Sequence, residues 1–139
     1  MTADDRRALE TDLQQAEGYR PKAYQDSVGV WTIGYGTNLQ DLEIDEPLAL
    51  QWLREKMAQA EFDAGRYPWF AGLTPRRQRA IVELVYNLGI PRFSGFVKMR
   101  AALASGDYEQ AAIELMNSKW ARQVGPSRSQ RLFQMIRLW

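Results

Sequence analysis

Residues 17–38, EGYRPKAYQDSVGVWTIGYGTN, hold four Gly and four aromatics between two stretches of plain helical periodicity. A chain that interrupts itself so early with such sequence is not a simple helical bundle. The runs around Lys22–Gln25 and Val30–Tyr35 are β-prone, and DSVG between them has Asp first and Gly last, as a tight turn prefers. A small β-hairpin therefore has to sit among helices.

The helices follow from spacing and caps. Residues Ala3 to Glu17 place Leu9, Leu13 and Ala16 in a narrow apolar stripe, with Gly18 and then Pro21 as the stop. In IDEPLALQWLREKMAQAEFDAG, Asp45 is a plausible N-cap, and Leu50, Leu53, Met57, Ala60 and Ala64 recur at helical spacing; this helix is long enough to bridge two lobes. LTPRRQRAIVELVYNLG has Thr74 as N-cap, Pro75 at the first helical position and Gly89 past the end. Its Ile81, Val82, Leu84, Val85 and Leu88 cover too much circumference for a surface helix, which predicts the central buried one. SGFVKMRAALASG, DYEQAAIELMNS, SKWARQV and SRSQRLFQMIRLW read as shorter helices. With 139 residues and 45% hydrophobic content, the chain supports one domain of class α+β, mainly α. A small hairpin lobe, residues 18–45, is expected beside a larger helical lobe, residues 1–17 and 46–139, with a cleft between them.

There is no Cys and no His, which excludes disulfide frameworks, thiol nucleophiles, Ser-His pairs and zinc sites built on those ligands. Acid-base chemistry has to run on carboxylates, Tyr, Lys or Arg. No metal and no cofactor is expected. The charged start MTADDRRALETDL and the lack of an apolar run near about 20 residues predict neither signal peptide nor membrane anchor, hence a soluble cytoplasmic product. Net charge is +1, but residues 1–66 carry seven Lys/Arg against thirteen Asp/Glu and residues 67–139 eleven against four. The basic second half suits a polyanion such as nucleic acid or an envelope polymer, or is a set of solvated helix faces.

Glu17 stands in the last turn of the first predicted helix, where the macrodipole disfavours a carboxylate. A rule broken without gain in stability points to function, and a protonated carboxylic acid is what general acid catalysis needs; an exposed terminal Glu is the alternative. Asp26 opens the DSVG turn, a position Asp favours because it bonds nearby backbone N–H groups. Thr32 lies in phase with Gly34 and Gly36, giving one strand face a hydroxyl and then no side chains, which suits close approach by a flat polymer such as a glycan. The opposite face, Trp31, Ile33 and Tyr35, is expected to be core. Two carboxylates flanking a glycosidic bond are the usual equipment for hydrolysing it, and Glu17 and Asp26 form such a candidate pair.

The segment from Glu17 to Gly36 resembles the active-site segment of phage-type lysozymes, the endolysins of glycoside hydrolase family 24: Glu, eight residues, Asp, five residues, Thr, then Ile-Gly-x-Gly. AIVELVYNLG resembles that family's central helix ending in Asn-x-Gly, and SKWARQVGPSRSQRLF its Trp-containing segment followed by Pro-x-Arg. The resemblance implies a lysozyme-like fold and a muramidase that cuts the β-1,4 bond between N-acetylmuramic acid and N-acetylglucosamine by single displacement with inversion. Glu17 would be the general acid, Asp26 would steer water or stabilise the oxocarbenium ion, and Thr32 would hold that water. Arg128 would pair with Glu17, Tyr86 would line the sugar cleft or belong to the core, and Gly36 would meet the glycan. The partner implied is peptidoglycan, acted on by a monomer after release from the bacterial cytoplasm where it is made, with no role for nucleic acid. Three departures stand out: Thr37 where some relatives have His, a TNLQDLEIDE stretch shorter than the third-strand region of larger members, so that the small lobe is little more than a hairpin, and Met99 and Glu114 in place of polar cleft residues. Alternatives are a lytic transglycosylase on the same bond, or a non-catalytic helical domain binding glycan or polyanion.

Overall fold

The computed structural model describes all 139 residues, Met1–Trp139. It contains eight α-helices and one three-stranded antiparallel sheet of order β1-β2-β3, and it divides into two compact units, Met1–Glu46 and Pro47–Trp139.

The first unit opens with α1 (Ala3–Glu17), which starts and stops on local chemistry. Thr2 and Asp5 form a reciprocal capping box, with Asp5 N–H on the Thr2 hydroxyl at 3.1 Å and Thr2 N–H on the Asp5 carboxylate at 2.8 Å. The expected stripe is present but not buried: Leu9 and Leu13 remain about half exposed. The sheet follows as β1 (Arg20–Gln25), β2 (Trp31–Gly34) and β3 (Thr37–Asn38). The small lobe thus exceeds a hairpin by one short strand, because the turn through Gly34 and Gly36, both at positive φ, folds the chain back far enough for Ile33 to pair with Thr37 and Thr32 with Asn38. β1 pairs regularly with β2 at Tyr24↔Thr32 and Gln25↔Trp31, then slips before Arg20↔Gly34. Pro21 lies in the slipped stretch of this edge strand, where its missing N–H is tolerated.

One expectation about the sheet is reversed. Trp31 and Tyr35 are 52% and 48% exposed, whereas Thr32 is buried at 5%. Thr32 occupies the middle strand with a partner on each side, while Tyr35 lies in the β2–β3 turn, where strand alternation has ended, and meets Tyr19 at 5.6 Å between ring centroids.

The second unit holds the hydrophobic core. α2 (Glu46–Gly65) buries only Ala60 and Ala64 near its C-terminus; Leu50, Leu53 and Met57, expected on its buried stripe, are exposed. After a short 3-10 turn at Phe70–Gly72 comes α3 (Pro75–Leu88), with Thr74 as N-cap and Gly89 as C-cap, as the sequence predicts. Its buried face of Ala80, Ile81, Leu84 and Val85 makes it the central element, packed on α4 (Ile90–Ser94) and α8 (Pro126–Arg137). α5 (Val97–Ser105), α6 (Tyr108–Met116) and α7 (Lys119–Val124) complete the unit, with α8 against α6 and α7. Arg77 is buried on α3: its Nε donates to the Ile136 carbonyl at 2.8 Å, and its guanidinium lies 3.7 Å from the centre of the Tyr108 ring. It thereby occupies carbonyls that the end of α8 would leave unpaired.

Candidate active site

Glu17 is the last residue of α1, and Gly18 turns the chain out of the helix, its N–H on the Gln14 carbonyl at 3.0 Å. From that helix end the carboxyl group lies directly against Gly36. A Cβ at position 36 would stand 2.7 Å from Glu17 Cδ and 3.2 Å from Cγ, so the acid occupies the volume a side chain would fill. Glu17, Leu9, Leu13 and Tyr35 line an open hollow of about 450 Å³.

Asp26 does the turn work its position predicts. Its Oδ1 accepts the N–H groups of Val28 at 2.9 Å and Val30 at 2.8 Å, and its own N–H donates to the Val30 carbonyl at 2.9 Å. Both side-chain bonds go to Oδ1, so Oδ2 remains an acceptor. The Thr32 hydroxyl donates to the same Val30 carbonyl at 2.9 Å, which leaves its oxygen lone pairs as acceptors. Val30 therefore ties the two residues together, by its N–H to Asp26 and by its carbonyl to Thr32. Within Met1–Glu46 the structure brings Glu17 onto Gly36 and links Asp26 to Thr32.

The family model described as Phage lysozyme matches residues 14–134. A curated endolysin from Acyrthosiphon pisum secondary endosymbiont phage 1 is 35% identical over 117 residues, which cover 79% of this chain and 75% of that relative. The chain belongs to the phage lysozyme family. Membership makes it a cell-wall lytic, lysozyme-type hydrolase of phage type. The matched span runs from within α1, ahead of Glu17, to within α8, beyond Arg128.

In the second unit of this phage lysozyme, Arg128 sits in the first turn of α8, where cations are disfavoured, and is held by Glu83 of α3. Glu83 Oε1 accepts from Arg128 Nε at 3.1 Å and from the Arg131 guanidinium at 2.5 Å. Glu83, Tyr86 and Arg128 line one open hollow of about 610 Å³, and Lys56 Nζ stands 4.5 Å from the Tyr86 ring centre. Tyr86 is half-buried, so it has both a packed and an open side. Sequence reasoning missed Glu83. The available signal was its isolation: it is one of only four acids after residue 66, set in the apolar helix. It also missed that Asn87 Oδ1 accepts the Trp120 indole N–H at 2.8 Å, fastening α7 to the end of α3. Of the two departures from polar cleft residues, Met99 is fully buried, and Glu114 accepts from Gln110 at 2.9 Å.

Partial burial pushes the Glu83 carboxyl up, but the hydrogen bonds and charges of Arg131 and then Arg128 outweigh it, so the net shift is downward. A carboxyl depressed in the folded state stabilises fully above its ordinary range and loses that contribution as pH falls through the folded value. Glu83→Gln is expected to lower the melting temperature near pH 7 by roughly 3 °C, equivalent to about 1 kcal/mol for a half-exposed network. The difference from the parent should shrink below about pH 4. Melts recorded from pH 7 to 3 check this, and a gap that stays constant over that range would mean the charge contributes nothing.

Proposed function

We propose that this phage lysozyme is an N-acetylmuramidase that hydrolyses the β-1,4 bond between N-acetylmuramic acid and N-acetylglucosamine by single displacement, with inversion. Family membership supports the reaction class. The single observation that carries the residue roles is the arrangement around the sheet: Glu17 against Gly36, and Asp26 joined to Thr32 through Val30. Glu17 donates a proton to the departing glycosidic oxygen. A water that donates one hydrogen to Asp26 Oδ2 and the other to Thr32 Oγ1 turns its lone pair to the anomeric carbon, and as the C–O bond forms its proton passes to Asp26. The bare Gly36 backbone and the open side of Tyr86 contact sugar. Arg128, which Glu83 holds within the second unit, is the cation that the family resemblance pairs with the acid. The substrate is the glycan strand of peptidoglycan, and the whole chain acts as one lysozyme-like domain, as a monomer, on the wall after release.

Digestion of purified peptidoglycan tests this reading. Hydrolysis with inversion is expected to yield reducing ends that carry one added water, with the α-anomer appearing first by NMR. Anhydro ends, lighter by one water in mass spectra, would assign the chain to the lytic transglycosylases instead, and β-anomer first would mean a covalent route.

A further inference from the structure

Of the ten glycines in the chain, seven adopt positive φ, and six of those seven have no side-chain or backbone conflict to avoid beyond ordinary van der Waals contact. Gly36 differs. It has φ +76°, and the position of its absent Cβ is filled by the carboxyl end of Glu17. No hydrogen bond or ion pair orients Glu17 within its unit, which leaves packing, with the close contact at Gly36 in it, to place the acid. We infer that Gly36 is a positioning residue for the general acid: its missing side chain is the seat in which the Glu17 carboxyl rests. This rests on the reading of Glu17 as the acid, and it adds to the contact with glycan a second reason for glycine at this position.

The physical consequence is specific. The carboxyl ends a flexible side chain, so a methyl group at position 36 displaces it at little cost to folding. The stability penalty of Gly36→Ala is then only the left-handed backbone strain, and the loss falls on the chemical step. Gly106 provides a matched reference: φ +77°, at the C-cap of α5, with nothing within 4 Å of its absent Cβ. Alanine at either position meets the strain of a positive φ, and only at position 36 does it move the acid.

The test compares Gly36→Ala with Gly106→Ala in melting temperature, in kcat and KM on peptidoglycan, and in the carboxyl carbon resonance of Glu17, assigned by its disappearance in Glu17→Gln. Both variants are expected to melt below the parent and to remain folded at the assay temperature. Gly36→Ala should lose about 10²-fold in kcat, the scale of a misplacement near 1 Å, over and above any change in KM from the lost glycan contact. The Glu17 resonance should move in Gly36→Ala and stay put in Gly106→Ala. Glu17→Asp, whose carboxyl is one methylene shorter, should cost less in the Gly36→Ala background than in the parent, because the two changes act on one contact. Equal kcat in the two alanine variants, an unmoved resonance, or strictly additive losses would each overturn the inference. Activity retained by Glu17→Gln would instead remove the general-acid reading, while the resonance would still report whether the contact exists.

Discussion

Glu17→Gln is expected to lose about 10²- to 10⁴-fold in the rate of cell-wall clearing, the range for removing a positioned proton donor, while folding as well as the parent or slightly better. The two halves of this expectation have separate physical origins. Gln matches Glu in shape, so the seat on Gly36 remains filled, but an amide cannot deliver a proton to a departing sugar oxygen. On stability, Glu17 is exposed at the C-terminus of α1, where the partial negative charge of the helix end opposes a carboxylate. Removing that charge relieves about 0.3–1 kcal/mol of unfavourable interaction. Turbidity clearing of purified walls, run beside thermal melts, reads both. A variant that clears walls at the parental rate sinks the assignment, and one that fails by unfolding would mean Glu17 is structural. Loss of activity with stability intact is the signature of a residue kept for chemistry.

Phe93→Ala is expected to be the most damaging single truncation to the fold. Phe93 is wholly buried in α4, edge-on to Tyr67 at 5.5 Å between centroids and tilted against Phe96 at 6.2 Å. Truncating a fully buried Phe costs about 3–5 kcal/mol, through lost transfer energy and the cavity left behind. Domains of this size have about 5–15 kcal/mol in total, so the variant should melt roughly 10 °C or more below the parent and show a matching drop in its urea midpoint. A midpoint within the parent's experimental scatter would mean that Phe93 does not anchor the core of the second unit.

Phe93 also illustrates where sequence reading stops. α4 has five residues and shares Gly89 with α3, whose C-cap is its own N-cap, and so short an element shows no periodicity to detect. β3 escaped for the same reason: two residues carry no alternation. Helices with full periods and local caps were legible. α1 spans the residues its pattern predicts, and α3 starts on Thr74 and Pro75 and stops at Gly89. Composition was a poorer guide to burial. Trp31 and Tyr35 looked like core because aromatics usually are, yet the buried residue of β2 is Thr32, between Tyr24 of β1 and Asn38 of β3.

The site divides along the same line. Glu17 at a helix end, Asp26 opening a turn and Thr32 on the returning strand could all be picked out from the chain, because the motif they form is a local one. What each of them touches could not. That Glu17 rests on Gly36, that one backbone unit, Val30, serves both Asp26 and Thr32, and that Glu83 holds Arg128 from 45 positions away depends on the path of the chain in space. Caps, turns and periodicity are decided by neighbours within a few bonds, so the amino-acid order alone determined the elements and the chemical groups they carry. Contacts across turns and between helices are decided by packing of the whole unit, so only the tertiary structure could show which group supports which.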